Sequence, residues 1–392
     1  MSQPLKDIKI LELSTMVTAS LATMMMAEQG ASVIKIEPME TGDPMRHIGT
    51  SKNGISALFA NCNRGKRSMA VDLKSPAGQD LIHQLSARAD VLIHNYRPGV
   101  MEQLNLGSDY LREKNPGLIY TAISGFGKAG PMANAPAYDP VVQAQTGFTA
   151  LQAGKGEPDF MRTLICDKIT AYTCCQGVTA ALYQRSMTGQ GQHLDISMLD
   201  ASLFFLWPDG YMDHTLLDED REIKPHLSEA YRLHITSDGA ITISAATDKQ
   251  MQGVFKAIDR EDLCHDERFN SSASRFRHLE SLNLLLAESF RQMSTAELMA
   301  KLRKHDVPCA SSLSFKEVIN HPQVRANNSI EARPHPSMGN MYHIKSPVQF
   351  DGERSALSAP CPAHGEHSRM IVRELGLNEE KIEQLVHHKV IL

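Results

Sequence analysis

Ile8-Lys9-Ile10-Leu11-Glu12-Leu13 and Ser32-Val33-Ile34-Lys35-Ile36-Glu37 are two short runs rich in Ile, Leu and Val. Between them, residues 19–29 carry a helical pattern that stops at Gly30. Strand, helix and strand in this order predict two parallel strands joined by a right-handed crossover. The pattern recurs downstream as a helix over 76–89, a strand over 91–95 and a strand over 118–124. Several such units in a row predict an α/β fold with a Rossmann-like large domain. The first crossover turn reads Ser14-Thr15-Met16-Val17-Thr18-Ala19-Ser20 and holds no glycine. That disfavours a dinucleotide cofactor, whose pyrophosphate needs close backbone approach at this turn.

A long helix is expected over 169–185, closed by Thr188-Gly189-Gln190-Gly191-Gln192 and followed by a strand over 193–197. From about residue 227 the texture changes to a hairpin over 232–244 and charge-rich helices over 279–292 and 295–305. Beyond Pro322 the chain reads as loop-rich, with prolines at 334, 336, 347, 360 and 362, before helices over 368–375 and 379–387. The expected organisation is a large α/β domain over 1–224, a smaller α+β domain over 225–325, and a segment over 326–392 returning to the large domain.

A net charge of −5 argues against a nucleic-acid partner, which calls for a basic excess. No apolar run approaches the ~20 residues of a membrane span, and the first residues show no signal-peptide pattern. Seven cysteines without a CxxC pair fit reduced thiols in a cytoplasmic protein and give no zinc signature. His364-Gly365-Glu366-His367 is the one short His/Glu cluster, and a structural role explains it better than a metal site.

Four stretches carry chemistry. Cys166-Asp167-Lys168 stands at the expected start of the long helix. Aspartate is a preferred N-cap and needs no catalytic role to sit there. A helix N-terminus also stabilises an ionised carboxylate by ~0.3–1 kcal/mol, which would keep it available as a nucleophile. Asn63-Arg64-Gly65-Lys66-Arg67, with Asp72-Leu73-Lys74, suits a polyanionic ligand or a solvated surface. His94-Asn95-Tyr96-Arg97-Pro98-Gly99 puts polar groups at the carboxyl edge of a parallel sheet, where such folds bind ligands. Ser124-Gly125-Phe126-Gly127, leading to Ala137-Tyr138-Asp139, is a glycine-containing loop that allows close backbone approach.

Taken in order, these stretches resemble family III CoA-transferases, the CaiB/BaiF-like group that includes formyl-CoA and carnitine CoA-transferases and the 2-methylacyl-CoA racemases. The resemblance extends from Ile10-Leu11-Glu12-Leu13 through residues 30–38, Gly42-Asp43-Pro44 and Arg46 to Gly365-Glu366-His367. It implies an acyl-CoA:carboxylate CoA-transferase of the EC 2.8.3 type, with Asp167 forming an acyl anhydride and then a CoA thioester. It implies CoA contacts at Val17, Thr18, Val71, Lys74, Asn95, Tyr96, Arg97 and Tyr138, with Lys74 and Arg97 as phosphate partners. CoA and acyl-CoA would be substrates, with no tightly bound cofactor and no metal. The resemblance also implies an interlocked homodimer.

Three positions depart from the family pattern. Pro38 and Gln103 stand where arginines are frequent, and Val17 stands where formyl-CoA transferase has a glutamine. The racemases place a histidine where this chain has Tyr138. A phenol, titrating near ~10, is a poor partner for proton exchange at neutral pH. Transfer is therefore expected. The alternatives are a racemase or isomerase using Asp167 as a base, or a non-catalytic CoA-binding protein.

Overall fold

The computed structural model describes residues 3–154, 156–222, 226–354 and 359–392. The expected boundary at 224/225 lies outside the described residues. The chain forms two compact units, one of residues 1–212 with 326–392 and the other of residues 213–325.

The larger unit alternates strands and helices: β1 (Lys9–Leu13), α1 (Val17–Glu28), β2 (Ser32–Glu37), α2 (Ala57–Asn63), β3 (Lys66–Ala70), α3 (Pro76–Ser86), β4 (Val91–His94), β5 (Ile119–Ser124), α4 (Asp139–Gln145), α5 (Ile165–Thr188), β6 (His193–Ser197) and α6 (Met198–Gly210). The strands lie in the order β3-β2-β1-β4-β5-β6, and every pairing is parallel. This is the doubly wound arrangement with its reversal of strand order between β1 and β4. Side chains alternate between two apolar layers, as a period of two demands. Leu11, Leu13, Leu92 and Tyr120 join one layer with α3, while Ile10, Val33, Val91 and Ile93 join the other with α1 and α5. Both faces are covered, which is why the strand sequences read as almost continuous apolar runs.

β3 was hidden in the sequence by its two leading cations, and the structure explains them. Lys66 is buried, with its ammonium 2.8 Å from Glu12 Oε2 and 2.7 Å from Asn63 Oδ1. Lys35 Nζ lies 2.7 Å from Glu12 Oε1 and 2.9 Å from Asp43 Oδ2. Ser20 and Thr23 of α1 also donate to Glu12. Burial pushes the Glu12 carboxyl up, but the two ammonium groups outweigh it and hold it well below the usual range. Arg64 pairs with Glu28 and Arg67 with Glu374. Within 63–67, Lys66 and Arg64 are thus taken up by buried partners inside the fold, whereas Arg67 makes a partly exposed pair at the surface.

The smaller unit has β7 (His234–Ile235), β8 (Ala240–Ile243), α7 (Asp248–Ala257), α8 (Leu279–Arg291), α9 (Thr295–Lys304) and β9 (Cys309–Ser311). Its antiparallel sheet runs β9-β8-β7 over a core that includes Val254, Phe255, Leu286, Phe290 and Leu302. Residues 330–344, expected as loop, instead form a hairpin of β10 (Ile330–His335) and β11 (Gly339–Ile344). Pro334 sits opposite Asn340, a place a two-stranded ribbon tolerates because one edge of each strand needs no donor. Two helices, α10 (Ser368–Glu374) and α11 (Glu379–His387), pack against the α3 side of the large sheet.

Candidate active site

β1 and β4 stay paired through Leu13 and His94, and beyond their carboxyl ends, at the reversal of strand order, a cavity of about 310 Å³ opens. Thr18, Asn95, Tyr96, Arg97, Tyr138 and Asp167 all line it. Six of the nine residues singled out from sequence thus meet in one place, as a switch-point crevice predicts.

The β1–α1 loop forms one wall without a glycine. Met16 pays with a backbone φ of 64°, a conformation that a large side chain adopts only under restraint. Asn95 supplies part of that restraint. Its Oδ1 accepts from the Thr15 N–H at 3.1 Å, and its Nδ2 donates to the Thr15 carbonyl at 2.6 Å and to Thr18 Oγ1 at 3.3 Å. Met16 N–H donates to Asp43 Oδ1 at 3.2 Å. Asn95 therefore acts in the site as a clamp across the switch point. Val17 behaves differently from its neighbours: its side chain is buried with Met45 and Phe59 and is not on the cavity wall.

Val71 and Lys74 lie in a second cavity of about 1300 Å³, together with Pro38 and Gln103. Tyr96 borders both cavities. Lys74 and Arg97 are exposed, and among the described residues neither has an acidic partner.

Asp167 is buried, 7% exposed, and is the third residue of α5. It is not the N-cap. That position belongs to Leu164, whose side chain caps nothing. The cap comes from elsewhere: Asp139 Oδ2 accepts the Asp167 backbone N–H at 3.0 Å. Gln143, one turn into α4, donates to Asp139 Oδ1 at 2.5 Å and to the carbonyls of Met161 and Thr163. Asp139 had drawn notice only as part of a loop motif, since a cap 28 residues away leaves no local signature. Burial, then the nearby Asp139 carboxylate, push the Asp167 carboxyl up to about 7, against a smaller opposing pull from Lys168. The sequence-based expectation of a carboxylate held ionised by its helix is thus reversed.

The amino-acid pattern of residues 5–368 matches the family model described as CoA-transferase family III. The chain belongs to CoA-transferase family III. It is 31% identical to an acyl-CoA transferase of Fusarium pseudograminearum, over 96% of this chain and 86% of that protein. It is 29% identical to the succinyl-CoA–D-citramalate CoA-transferase of Chloroflexus aurantiacus, over 99% of this chain and 98% of that one. Among solved structures, a CaiB/BaiF family protein from Brucella suis superposes with a TM-score of 0.83 at 28% identity, covering 96% of this chain and all of the other. This family III CoA-transferase is accordingly an enzyme of the acyl-CoA:carboxylate type, moving CoA between an acyl-CoA and an acid.

A family III CoA-transferase works on thioesters, so its own thiols matter. All seven cysteines are free. Burial pushes each thiol up, including Cys166, the neighbour of the candidate nucleophile, to about 11. Among the described residues no three His, Cys, Asp or Glu side chains group as metal ligands. His364 and His367 instead hold backbone, at the Pro38 carbonyl and the Ser68 N–H. No helix among the described residues is long and apolar enough to cross a membrane.

Proposed function

We propose that Asp167 carries the CoA exchange covalently. The observation behind this reading is its place: a buried carboxyl on the wall of the switch-point cavity, in the first turn of α5. The ionised carboxylate attacks the thioester carbonyl of the donor, the C–S bond breaks, and CoA leaves as thiolate. The thiolate then attacks the aspartyl carbonyl of the mixed anhydride, giving an aspartyl-CoA thioester and releasing the donor acid as carboxylate. The acceptor carboxylate attacks that thioester, and the returning thiolate takes the new acyl group and restores Asp167. Two short covalent steps each way replace one difficult exchange.

The wider cavity beyond Tyr96 accommodates the nucleotide portion of CoA, with Val71 and Lys74 on its wall. Arg97 and Lys74, exposed and unpaired among the described residues, supply the charge for its phosphates. Thr18 and Tyr138 border the reacting end. A phenol at position 138 favours transfer over proton exchange at the α-carbon. We also propose a homodimer, supported by α5 and α6, which expose Tyr183, Met187, Phe204 and Trp207 to solvent.

The test is mass spectrometry of the protein mixed with a panel of acyl-CoAs and trapped with hydroxylamine or borohydride. The expected outcome is a mass change on the peptide holding Asp167, seen with some donors and abolished in Asp167→Ala. Exchange activity persisting in Asp167→Ala would end the covalent reading.

A further inference from the structure

We propose that Asp139 is a positioning residue whose carboxylate caps the helix of the nucleophile and drives Asp167 toward its CoA-bound state. The inference rests on the covalent role of Asp167 and goes beyond it. Asp139 is 2% exposed, and its two oxygens are committed, one to the Asp167 N–H and one to the Gln143 amide. The Gln143 side chain also ties down Met161 and Thr163, the segment that leads into α5. A neutral serine or asparagine would satisfy the same backbone donor. The sequence places an anion there instead, against another buried carboxyl.

That choice opposes ionisation of the nucleophile, and its benefit lies in what happens next. In the half-reaction, Asp167 carboxylate and acyl-CoA become aspartyl-CoA thioester and a free carboxylate. The C–S bond to the donor acyl group breaks, a C–S bond to the aspartyl carbonyl forms, and the negative charge leaves with the released acid. Repulsion from Asp139 is present before this step and gone after it. The same is true of the burial penalty, since the thioester is neutral. The interactions that make Asp167 hard to ionise therefore make its thioester easy to form. The raised pKa of Asp167 reports the strength of that push, each unit being worth ~10-fold in the equilibrium.

Several charged and titratable groups face Asp167. Tyr96 and Arg97 follow β4, Tyr138 and Asp139 stand at α4, and Cys166 and Lys168 flank it on α5. The β1–α1 loop contributes Thr15 and Met16 to the wall, α1 contributes Thr18 and α6 contributes Met198, none of them titratable. Lys168 is exposed and hydrogen-bonded to Thr163 Oγ1 at 2.6 Å. Asp139 is thus the buried anion against the nucleophile among the described residues.

The experiment compares full-length wild type with Asp139→Asn, which keeps an acceptor for the Asp167 N–H, removes the charge and gives up the acceptor for the Gln143 amide. Each is incubated with an active acyl-CoA and its free acid at fixed ratio, and the enzyme–CoA fraction is read by intact mass. At a pH well above 7, the expected result is a several-fold smaller enzyme–CoA fraction in Asp139→Asn. The acid limb of its pH–rate profile moves to lower pH, while a merely structural role would leave that limb in place. Asp139→Ser, a smaller neutral acceptor, replaces the variant if Asp139→Asn does not fold. An unchanged acid limb and an unchanged enzyme–CoA fraction overturn the inference. Absence of any enzyme–CoA in the wild type would instead sink the covalent reading on which it rests.

Discussion

An ordinary aspartate, titrating near ~3.9, is ionised throughout the neutral range. Asp167 is pushed up to about 7 by burial and by Asp139, so below that pH most of the resting enzyme holds a protonated, unreactive carboxyl. Exchange is expected to rise through pH 7 and level off above it, which a pH profile of kcat/KM at saturating acceptor checks. The same shift bears on stability, and with the opposite sense. The folded carboxyl binds its proton more tightly than the unfolded one, so stability falls as pH rises from about 4 to about 7 and stays lower above that. Asp167→Asn removes this penalty. It is expected to lose exchange, yet to be more stable than wild type at pH 8 by on the order of a few kcal/mol, read as a higher melting temperature. The difference should shrink as pH is lowered toward 4. Equal melting temperatures of wild type and Asp167→Asn at pH 8 would show that Asp167 is not strained in the resting fold.

At the scale of elements, the alternating strands and helices of the large sheet were legible because both faces of every central strand are buried. Two things were not. β3 begins with Lys66-Arg67, and its burial makes sense only once Glu12 is seen on the strand two places away in the sheet. The sequence pattern starts α5 too late, at residue 169 and not at Ile165, because Leu164-Ile165-Cys166 contains no capping residue and the cap arrives from α4. That Thr18, Asn95, Arg97, Tyr138 and Asp167 belong to one site was implied by the family resemblance, with only Asn95 and Arg97 placed by their strand end, whereas the clamp made by Asn95 required coordinates. One loop contact sets how far the α4 wall stands from β5. A Cβ on Gly125 would come within 2.2 Å of Ala137 Cβ, and the Gly125 carbonyl is already held by the Leu199 N–H. Gly125→Ala should therefore displace the Tyr138–Asp139 segment, lowering kcat/KM at least tenfold and stability by ~1–3 kcal/mol, the usual range for overpacking. Wild-type kinetics in that variant would mean the loop yields freely.

For the whole molecule, the proposed homodimer makes a measurable claim. A chain of 43.3 kDa that leaves Phe204 85% exposed and Tyr183 and Met187 each 72% exposed should sediment at twice that mass. Phe204→Glu should shift the species toward the single chain, and a wild-type protein that stays at 43.3 kDa at micromolar concentration would remove the proposal. The thiols, spread over both units, have a consequence of their own. Any nucleophilic sulfur near a bound acyl-CoA could capture the acyl group by transthioesterification, leaving a dead-end S-acylated protein. Burial pushes every cysteine thiol of this chain up, and Cys166, one residue from the proposed nucleophile, is fully buried. Burial thereby works against capture of the acyl group by the chain's own sulfur, most of all at Cys166.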